Sequence, residues 1–253
     1  MSPRERVIRA LQHKPVEVVP YNVGMTFPAR RKMAEFYGDP NFETKLGNCL
    51  ASSPSIRIEY GKRDADGFYV DDYGTRWNRQ IDEDIGNPAP CLTPETMDKF
   101  RWPDPKAPGR FDGLKKARQK YPDRFLLMSV DFSLFERAWV LAGMEEFMVA
   151  MAADRGFAGA LLDRILEVNL GMVREGLGQC PEADGVIFGD DFGTQLGLMM
   201  GPELWRELMD ASLAAADDGA DIWPQVAGRA TGLLSGHHTT YSLFDAFPAY
   251  QEL

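Results

Sequence analysis

The stretch Val186-Ile187-Phe188-Gly189-Asp190-Asp191-Phe192-Gly193 sets two adjacent carboxylates at the end of an apolar run. Carboxylates so placed are costly to bury and repel one another, and that is how a general acid or base with a raised pKa is made. The flanking glycines let the chain turn sharply where the run ends. Gly201-Pro202-Glu203 then reads as a helix opening, with proline at the first helical position and an acid in the first turn. Strand, loop, helix is the order that brings polar groups to the carboxyl end of a parallel sheet, where ligands bind. A solvated turn with two surface acids is the plain alternative.

A second junction has the same form. Phe125–Val130 is an apolar run that leads through Asp131-Phe132-Ser133 into a helix over residues 134–142. If the two runs are parallel neighbours, their loops face the same side. Asp190 and Asp191 are therefore the candidate catalytic residues. Phe132, Arg137 and Trp139 are the candidate substrate contacts from the neighbouring loop and helix, and Tyr73 is a further one in the turn Asp72-Tyr73-Gly74. Each has a rival reading: Phe132 and Trp139 as core, Arg137 as ion-pair partner of Glu136 or Glu145, Tyr73 as a turn residue.

The elements that must position these residues follow from caps and periodicity. Ser2-Pro3-Arg4-Glu5 opens an amphipathic helix over 3–13. Val16–Val23 reads as a short strand, 28–37 and 41–50 as short helices, and 56–80 as strands with a hairpin at Asp72–Gly74. Residues 81–108 hold six prolines and read as loop with a brief helix at Thr93-Pro94-Glu95. Helices follow over 111–120, 134–142, 143–154 and 156–178, then a strand at Gly185–Phe188 and a helix from 202 to about 217. Residues 217–253 have no sustained period and form an irregular tail, so 1–216 is expected to be one domain. The expected fold class is α/β.

The chain has 253 residues and a formal net charge of −10, which argues against nucleic acid or an anionic membrane as partner. Cys49, Cys91 and Cys180 are odd in number and widely spaced, so reduced thiols and a cytoplasmic setting are expected. The N-terminus has no apolar core of a signal peptide, and no stretch approaches a membrane span.

Several blocks carry a resemblance: "SPRERVIRALQHKPVEVVPYN", "DDYGTRW", "TPETMDKFRWPDP", "SLFERAWVLAGMEEFM" and "GVIFGDDFGTQLGLMMGPELWRE". In order and spacing, over about residues 2–209, they resemble the uroporphyrinogen decarboxylase superfamily, in its methyltransferase-related branch. The resemblance implies a TIM-like (β/α)₈ barrel whose members either decarboxylate a tetrapyrrole without a cofactor or pass methyl groups between a corrinoid and a thiol through zinc. Counted against it, the strands Val18–Asn22, Ile56–Tyr60 or Phe68–Asp71, Phe125–Val130 and Gly185–Phe188 make about four of eight units. An incomplete barrel is thus expected, and the tail is expected to be an out-of-frame or truncated end.

Departures shape the expected chemistry. Where the decarboxylases carry an Arg-Gln-Ala-Gly-Arg type segment this chain has "YNVGMTFPARRKM", with Arg30 and Arg31 on a helix. Their tyrosine position is Trp139, whose ring is expected to pack on a flat macrocycle or methyl donor. Their hydroxyl position is Asp190, which is therefore expected to face the ligand, with Asp191 bonded to N–H groups of the Gly193–Gln195 turn. The His-x-Cys zinc segment of the methyltransferases is missing, and His237 and His238 are adjacent, so zinc is not expected. No cofactor is required if the chain is decarboxylase-like; a corrinoid is the cofactor otherwise. The expected partner is a small tetrapyrrole or a corrinoid protein, with self-association through an open barrel edge. With its barrel incomplete, the chain as it stands is expected to be inactive; a non-catalytic barrel fragment that binds ligand weakly or associates through its open edge is the reading from a different class.

Overall fold

A computed structural model describes residues 1–56, 58–80, 82–194 and 197–209. Its elements in chain order are α1 (Pro3–Leu11), α2 (Phe27–Tyr37), β1 (Leu50–Pro54), β2 (Ile58–Arg63), β3 (Tyr69–Asp71), β4 (Arg76–Asn78), β5 (Asn87–Ala89), α3 (Asp112–Lys120), β6 (Phe125–Val130), α4 (Phe135–Ala142), α5 (Met144–Ala153), α6 (Arg155–Gln179), β7 (Gly185–Phe188) and α7 (Pro202–Met209). Short 3₁₀ turns at Phe42–Lys45 and Met97–Lys99 lie between them.

Two sheets organise the chain. β1, β6 and β7 form a parallel sheet in that order, with Ala51 opposite Leu126 and Leu127 opposite Gly185. β2 to β5 form an antiparallel meander, which extends the expected hairpin by two strands. Parallel strands joined through helices, with a side sheet inserted after β1, make a partial α/β barrel.

Three expected elements differ. Residues 41–50 do not form one helix: a single 3₁₀ turn gives way to β1 at Leu50. Ala51-Ser52-Ser53-Pro54 lacks β-branched residues, so its strand state rests on pairing with β6 rather than on propensity. Val16–Val23 bends at Glu17 and Val18 and is not a ladder strand. It lies beside the start of β1, where Cys49 N–H donates to Tyr21 O at 2.9 Å. The Asn48 amide brackets Val23, accepting from its N–H at 2.9 Å and donating to its carbonyl at 3.1 Å. A side-chain amide thus replaces the backbone of a partner strand. The parallel sheet thus has three strands among the described residues, and the second barrel strand expected at Ile56–Tyr60 or Phe68–Asp71 lies instead in the antiparallel sheet, as β2 and β3, its place beside β6 being taken by β1. The expected fifth strand, His237, His238 and the tail lie outside the described residues.

The helical layer has ordinary causes. Gly143 at φ 99° breaks the chain between α4 and α5. Along α6, Leu161, Leu162, Ile165, Val168 and Met172 face inward and are buried. Gly176 allows close approach on that stripe, since a Cβ there would lie 2.4 Å from Met128 Sδ. Among the described residues no helix is long and apolar enough to cross a membrane.

The amino end of the sheet is clamped by charge. α1 carries a full capping box between Ser2 and Glu5 and presents Val7 to Cys49 and Phe125. Asp184, just before β7, takes Arg4 Nε at 2.7 Å, Arg118 Nη2 at 2.6 Å and Leu126 N–H at 2.8 Å. Burial pushes this carboxyl up, but Arg4, the Leu126 N–H and Arg118 together hold it below its ordinary value. Asp184→Ala should therefore lower stability by about 1–3 kcal/mol, read from urea unfolding. Stability from this group is present above the unfolded carboxyl pKa and is lost as pH falls through the depressed folded one.

Candidate functional site

At the carboxyl end of β6 the chain enters Asp131-Phe132-Ser133-Leu134 before α4, and at the end of β7 it enters Gly189-Asp190-Asp191. The loops are laced together: Gly189 N–H donates to Val130 O at 3.1 Å and Ser133 N–H to Gly189 O at 2.8 Å. Asn169 of α6 donates to Ser133 O at 2.6 Å.

Asp190, expected to face ligand, is turned into the protein. Its Oδ2 accepts the N–H groups of Leu134 and Phe135, both at 2.9 Å, and the Ser133 hydroxyl at 3.2 Å; its Oδ1 accepts Glu136 N–H at 2.7 Å. These are the unpaired donors that open α4, and an anion is favoured there by the helix dipole as well. Asp190 is therefore a capping residue supplied by the neighbouring strand. Burial raises its pKa against the pull of those donors.

Asp191 is exposed and its Oδ1 accepts Gly193 N–H at 3.0 Å. Gln195, the far end of that expected turn, lies outside the described residues. On the helix side, the Asp191 backbone N–H offsets part of the upward shift of the Glu136 carboxyl. Glu136, Asp190 and Asp191 thus form one carboxylate group at the end of the sheet. Glu136 is pushed up to about 7 by burial first, then by the charges of Asp190 and Asp191. Sequence reasoning treated Glu136 only as an ion-pair partner of Arg137. Its position in the first turn of a helix that follows a strand was the available signal.

Arg137 points elsewhere. Its Nη1 donates to Asp71 Oδ2 at 2.8 Å, with both side chains almost fully buried, so its partner is neither Glu136 nor Glu145. Asp71 also accepts Trp77 Nε1 at 3.2 Å, Tyr73 N–H at 3.0 Å and Thr75 N–H at 2.9 Å, which closes the hairpin turn. The Arg137 guanidinium lies over the Tyr73 ring at 4.5 Å and the Phe132 ring at 5.4 Å, and Phe132 meets Trp77 at 5.4 Å. The structure therefore brings Tyr73, Phe132 and Arg137 together as a buried joint between the antiparallel sheet and α4. The Tyr73 pKa is pushed up to about 12, chiefly by burial.

Trp139, two residues on, packs half-buried against the main core, and its indole Nε1 is buried without a hydrogen-bond partner. Phe132 is half-buried, at φ 53°. Arg30 and Arg31 lie on α2 and pair with Glu43 and Glu83. Among the described residues no group of three or more His, Cys, Asp or Glu is placed to hold a metal ion.

Comparisons with known proteins bear on the fold. No protein-family model matches the chain, and no curated protein matches it. Among solved structures it is similar to a methyltransferase from Methanosarcina mazei, with a TM-score of 0.57 and 16% identity, covering 87% of this chain and 68% of that one. The likeness is one of fold: this chain has a partial α/β barrel.

Proposed function

We propose that this chain acts on a tetrapyrrole or corrinoid-linked substrate at the carboxyl ends of its parallel strands, in methyl transfer. The observation that carries the reading is the convergence of the β6 and β7 loops on Glu136, Asp190 and Asp191, with the Glu136 carboxyl raised to about 7. The neighbour in fold, a methyltransferase, supports the reaction class. The block resemblance supports the substrate class.

In this reading the exposed Asp191 meets the substrate, hydrogen-bonding an amide or pyrrole N–H, and Glu136 moves the proton. Glu136 can take a proton from an acceptor thiol, since a carboxyl with a pKa near neutrality holds and releases protons at working pH. Asp190 is a positioning residue that fixes the start of α4. The half-buried faces of Phe132 and Trp139 supply apolar surface for a flat ligand. Arg137 and Tyr73 act behind them, holding the side sheet in place. A corrinoid, when bound, would supply the methyl group. The raised Glu136 pKa favours a second reading, a decarboxylase-like lyase, because loss of CO₂ leaves a carbanion that needs a proton donor.

The free thiols, Cys49 and Cys180 buried among them, support a reducing cytoplasmic setting. β7 ends the parallel sheet among the described residues, with Ile187 and Phe188 exposed, which supports association through that edge.

Calorimetric titration with hydroxocobalamin, and separately with uroporphyrinogen, tests the site. Asp191→Asn should weaken binding by about 1–3 kcal/mol, roughly 5- to 150-fold. Unchanged affinity in Asp191→Asn and in Phe132→Ala would overturn the assignment.

A further inference from the structure

A cavity of about 400 Å³ lies away from the carboxylate group, between the hairpin turn Asp71–Gly74 and the loop Arg101–Arg110. That volume is at the lower end of small-molecule sites, roughly 300–1,000 Å³. Its walls are aromatic and charged: Tyr73 and Trp102 meet edge to face at 6.3 Å, and Arg101, Asp104, Asp72, Asp71 and Arg110 supply the charges.

Charge accounting narrows the occupant. Asp71 is neutralised by Arg137 at 2.8 Å. Arg110, 3% exposed in its side chain, is neutralised by Asp72 at 2.6 Å and holds the carbonyls of Asp104 and Ser55. One cation and one anion remain on the wall. Among the described residues Arg101 makes no ion pair, and the Asp104 carboxylate accepts only the N–H of Lys106, at 2.8 Å. The two stand three residues apart on one loop without pairing with each other.

We propose that this cavity is a binding site for a zwitterionic small molecule, an α-amino acid with a planar side chain. Its carboxylate meets Arg101, its ammonium meets Asp104, and its ring packs on Trp102 and Tyr73. A simple anion would face the uncompensated Asp104 carboxylate, and a simple cation would face Arg101. The zwitterion satisfies both. A whole tetrapyrrole is larger than the space, so this site is separate from the one proposed above and does not depend on it.

The test is calorimetric titration of the full chain with L-phenylalanine and L-tyrosine, beside phenylacetate, phenethylamine and L-alanine. The amino acids should bind at about millimolar concentration or below, and each truncated probe at least about tenfold more weakly. Arg101→Gln and Asp104→Asn are exposed changes that leave the fold intact, which far-ultraviolet circular dichroism checks. Each should weaken phenylalanine about tenfold or more, the scale of one charge-assisted hydrogen bond. Equal binding to the parent and to both charge variants, or equal binding of phenylacetate and phenylalanine, would overturn the proposal, as would no binding of either amino acid.

Discussion

Asp71→Ala should be among the most damaging single changes in the described chain, costing about 3–5 kcal/mol of stability by urea unfolding. The reason is what it strands. Arg137 would keep a buried charge without its partner, and the Trp77 indole and the N–H groups of Tyr73 and Thr75 would lose their common acceptor. A buried ion pair contributes little net stability when intact, because desolvation offsets attraction, but breaking one side exposes the whole penalty. The paired variant Asp71→Asn with Arg137→Met should therefore lose less than the sum of the two single changes. Additive losses would show that the joint does not act as a unit.

Asp190→Ala should be next, at about 2–4 kcal/mol, since it removes the acceptor for three opening N–H groups of α4 and a serine hydroxyl. It carries a second readout. With the Asp190 charge gone, the Glu136 pKa should fall from about 7, visible by carbon-detected NMR of the glutamate carboxyl. The parent's stability has a matching pH dependence. Glu136 in the folded chain keeps its proton up to about 7, while the unfolded chain releases it near the ordinary value of 4.5. Across that window the folded state binds more protons, so stability falls as pH rises and levels off above about 7. Raised Asp190 acts in the same direction. A flat stability profile over that window would contradict the Glu136 shift.

What the sequence revealed and what it hid follow from range. α1, α4, α5, α6, β6 and β7 carry their own caps or apolar periods, so local physics located them. β1 does not: Ser52, Ser53 and Pro54 become a strand because β6 lies alongside. β5, built from Asn87-Pro88-Ala89, is likewise a product of its neighbour β4. The candidate site divides in the same way. The two junction loops were readable as loops, and their meeting followed from parallel neighbours. Which carboxylate would turn inward was not readable, because it depends on where the unpaired N–H groups of Leu134, Phe135 and Glu136 sit relative to the end of β7. Arg137 found Asp71, 66 residues away, rather than the glutamates near it in sequence.

Phe132 has a consequence of its own. A non-glycine residue at φ 53° carries a strain of roughly 1–2 kcal/mol, and glycine there would relieve it. Yet the strained conformation is what turns the ring onto Trp77 and over the Arg137 guanidinium. Glycine would open that face to water, raise the local dielectric around Asp71 and Arg137, and weaken their attraction. Position 132 thus answers to two opposed demands, an easy backbone and a dry ion pair. The phenylalanine favours the dry ion pair, and the strained backbone is kept to exclude solvent from the joint.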